Sequence, residues 1–225
     1  QEYRREQKLL KSDDSVVNYL RSFDLEELYA RSALLERRFV LHIGPTNSGK
    51  TYQSIQALKN APAGAYLAPL RLLALEIFDS LNTDNIPCDL LTGEEKIEVP
   101  FARVVSSTIE MADYEKHYDV AVIDEAQMIA DPSRGDRWLK AILALDASEM
   151  HLCFAPEARD IILGLLDRIH AAYTIVSHER MAPLKYAGHL ESLNEVEPGD
   201  ALIVFSRRSA LAMAGELKLR NIDPS

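Results

Sequence analysis

Short apolar runs alternate with segments of helical periodicity through the middle of the chain. Strand-like runs lie at 38–44, 64–70, 102–108, 118–126 and 149–156, and a further strand is predicted at 171–178. Apolar residues are spaced as on one face of a helix at 50–60, 71–82, 137–145 and 158–170. Strands that are buried on both faces and separated by helices are typical of parallel sheets. We therefore predict an α/β domain with a mainly parallel sheet flanked by helices.

The two ends of the chain do not continue this alternation. Residues 1–37 form a predicted N-terminal helical segment, in which Asp24 and Glu27 have the spacing of a capping box. Residues 38–179 form the predicted main domain, and 180–198 have the pattern of a linker. One strand at 201–206 and one helix at 207–220 are predicted after it. Because one strand and one helix cannot form a domain, we expect 199–225 to be the start of a truncated second domain.

Composition narrows the classes of function. The 225 residues are 47% hydrophobic with a net charge of -10, which argues against coating duplex nucleic acid by bulk electrostatics. A narrow strand-binding track of loop amides, hydroxyls and a few arginines stays compatible with this charge. Cys88 and Cys153 have no CxxC spacing, so we expect two packed thiols in a reducing compartment. The charged N-terminus and the lack of a long apolar segment predict a soluble protein.

A glycine-bounded polar loop follows the first predicted strand and leads into the first predicted helix. It matches the pattern GxxxxGK[ST] and comprises Gly44, Pro45, Thr46, Asn47, Ser48, Gly49, Lys50 and Thr51. Its backbone N–H groups and the start of the helix would surround the β-phosphate of a nucleotide. Lys50 would reach the β- and γ-phosphates, and the Thr51 hydroxyl would ligate Mg²⁺.

Two adjacent carboxylates end the apolar strand in VAVIDEAQ. Asp124 is placed to hold Mg²⁺ through water, and Glu125 is placed to orient or deprotonate an attacking water. Such a pair is costly at the end of a buried strand unless a cation or a water network uses it. The sequence therefore predicts a site that binds ATP or another NTP with Mg²⁺ and hydrolyses it.

Two known classes carry a GPxxSGKT loop together with a DEAQ segment. Type II thymidine kinases resemble this chain at both places, and this resemblance implies a nucleoside phosphotransferase. Those kinases also carry a cysteine-paired zinc ribbon, whereas this chain has two cysteines in all.

More of the chain resembles the mitochondrial degradosome-type ATP-dependent RNA helicases and their bacterial relatives, a branch of the superfamily two DExH helicases. The resemblance spans about residues 39–210 and rests on GPTNSGKTY, APLRLLALEIF, PCDLLTGEE, SSTIEM, AVIDEAQMIADPSRG, HLC and PGDALIVFSRR, in that order. It implies RecA-like domains and NTP-driven movement along RNA in support of an exoribonuclease. DNA stays open as an alternative substrate. The implied compartment is the mitochondrial matrix in a eukaryote or the cytoplasm in a bacterium.

The resemblance also assigns roles to individual residues. Gln127 would sense the γ-phosphate, beside Lys50, Asp124 and Glu125 as catalytic residues. Three short segments would contact the nucleic-acid strand: Pro69, Leu70 and Arg71 in segment one, Thr92 and Gly93 in segment two, and Thr108 and Glu110 in segment three. The first and third segments follow predicted strands, and we expect all three segments to lie along the carboxyl edge of the sheet. Hydroxyls, amides and one arginine can hold a sugar-phosphate chain without reading its bases.

The chain departs from the family pattern at two places. Phe154, Ala155 and Pro156 stand where the family usually has Gly-Glu-Pro, a motif that couples hydrolysis to RNA binding; Glu157 is a candidate for the missing acid. The second domain of the family should also carry an arginine finger, which can contribute roughly 10³ to 10⁵ in rate. We therefore expect these 225 residues to bind nucleotide but hydrolyse it weakly. A nucleotide-gated RNA-binding module without turnover is the remaining alternative.

The sequence predicts no chemical role for the histidines or for the tryptophan. We expect His42 and His151 to be packed or hydrogen-bonded inside the sheet, because no histidine has metal-ligand spacing with another candidate ligand. Trp138 is expected in the core.

Overall fold

The computed structural model describes residues 28, 30, 32, 34–180, 186, 188, 195–197 and 199–219. The chain divides into two compact units, Gln1–Met181 and Ala182–Ser225. Leu28, Ala30 and Ser32 are helical. The predicted capping box of Asp24 and Glu27 lies outside the described residues. The predicted domain boundaries stay predictions.

A mainly parallel sheet forms the centre of the first unit. Its strands are β1 (Arg38–Ile43), β2 (Gly64–Ala68), β3 (Cys88–Leu91), β4 (Lys96–Ile97), β5 (Val104–Thr108), β6 (Tyr118–Ile123), β7 (Ala147–Phe154) and β8 (Ala172–Ser177). Their spatial order is β4-β3-β5-β2-β6-β7-β1-β8. The pair β3–β4 is antiparallel, and the other neighbours are parallel. β7 therefore separates β1 from β6, and both strands end at the same edge.

Helices cover both faces of the sheet. They are α1 (Lys50–Asn60), α2 (Arg71–Thr83), α3 (Gly135–Ala144) and α4 (Arg159–Arg168), with single 3₁₀ turns at Ile109–Met111, Ala126–Ala130 and Pro156–Ala158. The side chains of each strand alternate between the faces: Tyr66 packs with α1 and α2, while Leu67 packs with α3 and α4. The resulting three-layer architecture confirms the predicted α/β fold.

Two strands were missed and one predicted strand is wrong. β3 and β4 are short, and β3 carries Asp89, so their sequences lack a clear apolar run. The side-chain amide of Asn82 fixes β3 by bonding both the N–H and the C=O of Cys88. In the second unit, residues 201–206 are not a strand, although α5 (Arg207–Leu219) follows as predicted. The apolar character of residues 201–206 was not enough to form a strand. A strand needs a neighbouring strand to pair with, and the described residues provide none at this place.

Candidate functional site

The polar loop predicted to bind phosphate connects β1 to α1. Asn47 and Gly49 have positive φ angles of 58° and 83°, which fold the loop back over the start of the helix. Gly49 is the N-cap of α1, and no side chain caps this helix end. The first-turn N–H groups of α1 therefore have no side-chain partner and point into the loop, an arrangement that suits an anion.

Close packing fixes the start of this loop. The Gly44 N–H donates to the carbonyl of Phe154 at 3.2 Å, and the His178 N–H donates to the carbonyl of Ile43 at 2.7 Å. A Cβ on Gly44 would lie 2.5 Å from the carbonyl oxygen of His178, so this position needs glycine. The loop is thus anchored to the ends of both strands that flank β1.

Lys50 is buried and is held by its own loop. Its Nζ donates to the carbonyl oxygens of Gly44 and Pro45, each at 2.8 Å. Ser48 Oγ is buried and has no partner. A buried ammonium ion and an unpartnered hydroxyl inside an uncapped helix start fit a phosphate group, because phosphate oxygens would accept hydrogen bonds from both.

Asp124 follows β6 and lies opposite Thr51. The Thr51 hydroxyl is 3.3 Å from both carboxylate oxygens, and Asp124 also accepts from the Tyr66 hydroxyl at 2.7 Å and from the Glu125 N–H at 2.9 Å. Burial, and then the Asp124 charge, raise the pKa of Tyr66, so its hydroxyl remains a donor. A hydroxyl and a carboxylate in this arrangement are oxygen ligands of the kind that Mg²⁺ prefers.

Glu125 and Gln127 form a bridge beyond Asp124. Glu125 has a positive φ of 49°, which turns the chain sharply after β6. The Gln127 amide donates to the Glu125 carboxylate and accepts from the N–H of Ala155 at 3.1 Å. Gln127 therefore links the predicted water-activating acid to the Phe154-Ala155-Pro156 segment.

Phe154 has a structural explanation, since it lies in the core and its carbonyl anchors Gly44. Glu157 is exposed, and its suggested coupling role stays a prediction.

The polar loop, Asp124 and Glu125 line one cleft of about 370 Å³. Five further lining residues were not found from the sequence: Tyr52, Tyr66, Leu73, Glu76 and Ile77. Among these residues, Tyr66 had the clearest signal in the sequence, because it places a hydroxyl within an otherwise apolar strand. The residues of α2 carry no motif that could have identified them.

The three predicted strand-contacting segments also come together at the carboxyl edge. A second cleft of about 290 Å³ is lined by Arg71, Thr92, Gly93, Glu94, Thr108, Glu110 and Met111. Pro69 and Leu70 do not line this cleft; the Leu70 side chain is largely exposed. We call this second cleft the strand groove.

Acidic side chains pair with Arg71, which lines the strand groove, and with Arg134, which lies beside it. Arg71 forms salt bridges of 3.0 Å with Glu94 and Glu95. Glu110 accepts from Arg134 at 2.7 Å. The Thr92 hydroxyl accepts from the N–H of Glu95 at 3.1 Å, which orders the loop that carries both acids.

A chain of histidines supports the phosphate-binding loop from inside the sheet. His42 lies 2.8 Å from His151 and 3.1 Å from His178, and His151 contacts the Glu149 carboxylate at 2.7 Å. Burial, with the neighbouring imidazoles, lowers the pKa of His42 to about 4. The predicted packing of His42 and His151 is confirmed, and Cys88, Cys153 and Trp138 are buried as expected.

The fold and the loop at the end of β1 define the class of RecA-like P-loop domains. The model of the family described as DEXQ-box helicase domain of Suv3 matches residues 26–178. This chain belongs to that family, and its Asp124-Glu125-Ala126-Gln127 segment supplies the DEXQ residues. The family assignment does not favour the thymidine kinase alternative.

Relatives extend the match beyond the family model. The chain is 40% identical over 200 residues to the human "ATP-dependent RNA helicase SUPV3L1, mitochondrial", covering 87% of this chain and 25% of that protein. It is 47% identical over 176 residues to the Arabidopsis thaliana "DExH-box ATP-dependent RNA helicase DExH18, mitochondrial", covering 77% and 23%. The chain thus spans about a quarter of the length of these relatives.

A solved structure agrees with the fold. The crystal structure of a DEAD box protein from Methanococcus jannaschii superposes with a TM-score of 0.50 at 18% identity, covering 73% of this chain and 53% of that one. Among the described residues, no helix is long and apolar enough to cross a membrane.

Proposed function

We propose that this chain is the nucleotide-binding domain of an ATP-dependent RNA helicase. The observation that carries the proposal is the Thr51 hydroxyl 3.3 Å from the Asp124 carboxylate, at the sheet edge where the strand groove also opens. The names of the relatives support RNA as the substrate and mitochondria as the compartment. An exoribonuclease partner follows from the family resemblance alone.

The polar residues that the cleft brings together at the phosphate-binding loop and Asp124 have separate proposed tasks. The N–H groups at the start of α1 and the ammonium of Lys50 bind the phosphates of the NTP, after Lys50 exchanges its bonds to Gly44 and Pro45. Thr51 and Asp124 hold Mg²⁺, and Tyr66 fixes the orientation of the Asp124 carboxylate. When bound, Mg²⁺ neutralises charge on the β- and γ-phosphates.

Glu125 takes the proton from the attacking water, and Gln127 holds the Glu125 carboxylate in place. Because the Gln127 side chain also bonds the N–H of Ala155, a change at the γ-phosphate reaches the end of β7.

In the strand groove, Arg71 and the hydroxyls of Thr92 and Thr108 bind the sugar-phosphate chain, with Gly93 allowing close approach. The phosphates displace Glu94 and Glu95 from Arg71. None of these contacts reads a base edge, which suits a protein that moves along RNA of any sequence.

The test is phosphate release from ATP, with and without single-stranded RNA, by this chain and by a longer chain with a complete second RecA-like domain. We expect RNA to accelerate release by the longer chain, and Glu125→Gln to lower it by about 10² to 10⁴. Glu115→Gln, which changes an exposed acid before the start of β6, is the matched control.

RNA affinity that changes with nucleotide while phosphate release stays at background would identify the nucleotide-gated RNA-binding module instead. Transfer of phosphate to thymidine would support the kinase alternative. Nucleotide binding with no effect of RNA on the longer chain would contradict the helicase proposal.

A further inference from the structure

The side chain of Arg134 joins two of the three strand-contacting segments. Its Nη2 donates to the carbonyl of Pro69 and to Oε1 of Glu110, each at 2.7 Å, and its Nε donates to the same Glu110 oxygen at 3.1 Å. Pro69 begins the first segment and Glu110 ends the third. One guanidinium group therefore fixes the distance between two segments that lie far apart in the sequence.

The same side chain also packs against Trp138, which bonds the main chain of Asp124. The Cζ of Arg134 lies 5.3 Å from the ring centre of Trp138, within the range of a cation–π contact. Trp138 is fully buried, and its Nε1 donates to the carbonyl of Asp124 at 3.1 Å. A continuous series of contacts thus runs from Pro69 and Glu110 to the main chain of the proposed Mg²⁺ ligand.

A tight turn presents Arg134 in this position. The Asp131 Oδ1 accepts from the Ser133 N–H at 2.8 Å, the Ser133 hydroxyl at 2.7 Å and the Arg134 N–H at 2.9 Å. A Cβ on Gly135 would lie 2.4 Å from the carbonyl of Ile129, so the chain closes against the preceding 3₁₀ turn. The backbone of this turn therefore fixes the position of Arg134 independently of its contacts to the groove segments.

Electrostatics points to an indirect role for Glu110. A bare carboxylate in the strand groove would repel RNA phosphates, but Arg134 binds it and Arg137 lies 3.5 Å from it. The carboxylate is thus neutralised by two arginines. Its position on the groove wall is explained by its bond to Arg134 without any contact to RNA.

We propose that Arg134 is a positioning residue that couples the strand groove to the nucleotide cleft. It keeps the first and third segments at one spacing and, through Trp138, ties that spacing to the main chain of Asp124. Lysine cannot replace it, because one ammonium group lacks the planar fork that reaches Pro69 and Glu110 together while stacking on the indole ring. The inference rests on the proposed function and names the residue through which its two sites communicate.

The test compares Arg134→Lys with Arg137→Lys, a matched change one helical turn away at a residue that does not contact Pro69. Two quantities are measured for each chain: the Kd for a fluorescein-labelled single-stranded oligouridylate, with and without a non-hydrolysable ATP analogue and Mg²⁺, and the Kd for that analogue alone. We expect Arg134→Lys to weaken RNA binding about tenfold, the cost of one charge-assisted hydrogen bond. The factor by which the nucleotide changes RNA affinity should move toward one.

Affinity for the nucleotide alone should stay within about twofold of wild type, because Arg134 does not touch the cleft. Equal effects of Arg134→Lys and Arg137→Lys on RNA affinity and on the nucleotide factor would overturn the inference while leaving the proposed function intact. A wild-type chain that binds no RNA at low salt would instead overturn the proposed function.

Glu110→Gln tests the same inference from the other side and does not depend on the folding of an Arg134 variant. Its amide oxygen can still accept from Arg134, so RNA affinity should equal or exceed that of wild type. A tenfold loss with an unchanged nucleotide factor would show that Glu110 contacts the strand itself, against the inference.

Discussion

The nucleotide cleft and the strand groove open at the same sheet edge but differ in how their charges are held. In the cleft, Lys50 and Asp124 are 7% and 5% exposed and bonded to the loop and to Tyr66. In the groove, the Arg71 and Glu94 side chains are 46% and 75% exposed and pair with each other. Under the proposed function, most of the cleft geometry exists before the nucleotide binds and only Lys50 exchanges carbonyl partners, whereas Arg71 in the groove exchanges both of its exposed ion-pair partners.

The difference follows from the cost of burying charge. A buried ion needs fixed hydrogen-bond partners, so the cleft residues hold one geometry that suits one phosphate and metal arrangement. An exposed ion pair contributes little to stability, so Arg71 can leave Glu94 and Glu95 for a phosphate at small cost. We infer that the cleft provides chemical selectivity, whereas the groove provides binding that can be released and remade during movement.

The largest expected effect is the loss of nucleotide affinity in Lys50→Met. This substitution removes the buried cation that we propose binds the phosphates, and the loss of such a buried partner costs about 2–5 kcal/mol. Titration with a fluorescent ATP analogue should show nucleotide affinity lowered by at least tens-fold. Lys59→Met removes the same charge from the far end of α1 and should leave affinity unchanged; equal losses in both variants would contradict a preformed cleft.

The pH dependence of the free energy of unfolding should distinguish the buried histidine His42 from exposed histidines. Folded His42 has a pKa near 4 against an ordinary 6.5, so between these values the unfolded chain binds a proton that the folded chain does not. The free energy of unfolding should therefore be complete above pH 6.5 and fall as pH drops toward 4, by up to about 1.4 kcal/mol per pH unit from this group. His151, His178 and Glu149 face His42, and the pKa values of both histidines are lowered as well.

Urea unfolding at pH 7 and pH 5 measures this effect. His42→Gln should lose less stability across the interval than wild type does. His170→Asn, a change at an exposed histidine, should keep the wild-type difference. The same pH difference in His42→Gln and wild type would refute the assignment.

A smaller effect is expected from Tyr66→Phe, which removes the hydroxyl that donates to Asp124. The loss of this buried bond to a carboxylate should cost about 1–3 kcal/mol. It should appear as a higher Mg²⁺ concentration needed for half-maximal nucleotide binding. Tyr118→Phe removes the hydroxyl of another buried tyrosine, at the start of β6, and serves as the control. If both variants shift the Mg²⁺ midpoint alike, Tyr66 does not orient Asp124.

The smallest effect is expected in the groove. Glu94→Gln combined with Glu95→Gln frees Arg71 from its exposed partners, each worth about 0.2–1 kcal/mol, and should raise RNA affinity several-fold. The gain should shrink as salt is added, because exposed charges are screened. Glu195→Gln with Glu197→Gln changes net charge equally in the second unit. RNA affinity that rises as much in this control would mean that net charge, and not the pairing of Arg71, sets the effect.

The sequence allowed most of the fold to be predicted, and its errors have identifiable causes. The helix at 50–60 and the strands that end at the cleft were found because their apolar periodicity is unambiguous. β3 and β4 were missed because short strands with polar residues have no periodicity to detect. The strand predicted at 201–206 shows the opposite error, since this apolar run has no pairing partner in the part of the chain that the structure describes.

The residues of the candidate site also fall into two groups, those that the sequence identified and those that it missed. The loop from Gly44 to Thr51 and the pair Asp124–Glu125 are contiguous patterns with their own chemistry, so the sequence alone pointed to them. Tyr66 acts on Asp124 across 58 residues, and Arg134 reaches Pro69 across 65. No local pattern indicates such contacts.

The sequence by itself determined most of the strands and helices of the first unit, and which loop carries phosphate-binding chemistry. Turn residues, periodicity and short motifs are local properties, so they can be read without knowing the sheet. The tertiary structure alone decided which side chains hold those motifs: Tyr66 on Asp124, the histidines behind the phosphate-binding loop, and Arg134 between the groove segments. These contacts depend on the spatial order of the strands, in which β6 lies between β2 and β7. That order is fixed by packing over the whole chain, because helices on both faces must cover the sheet together.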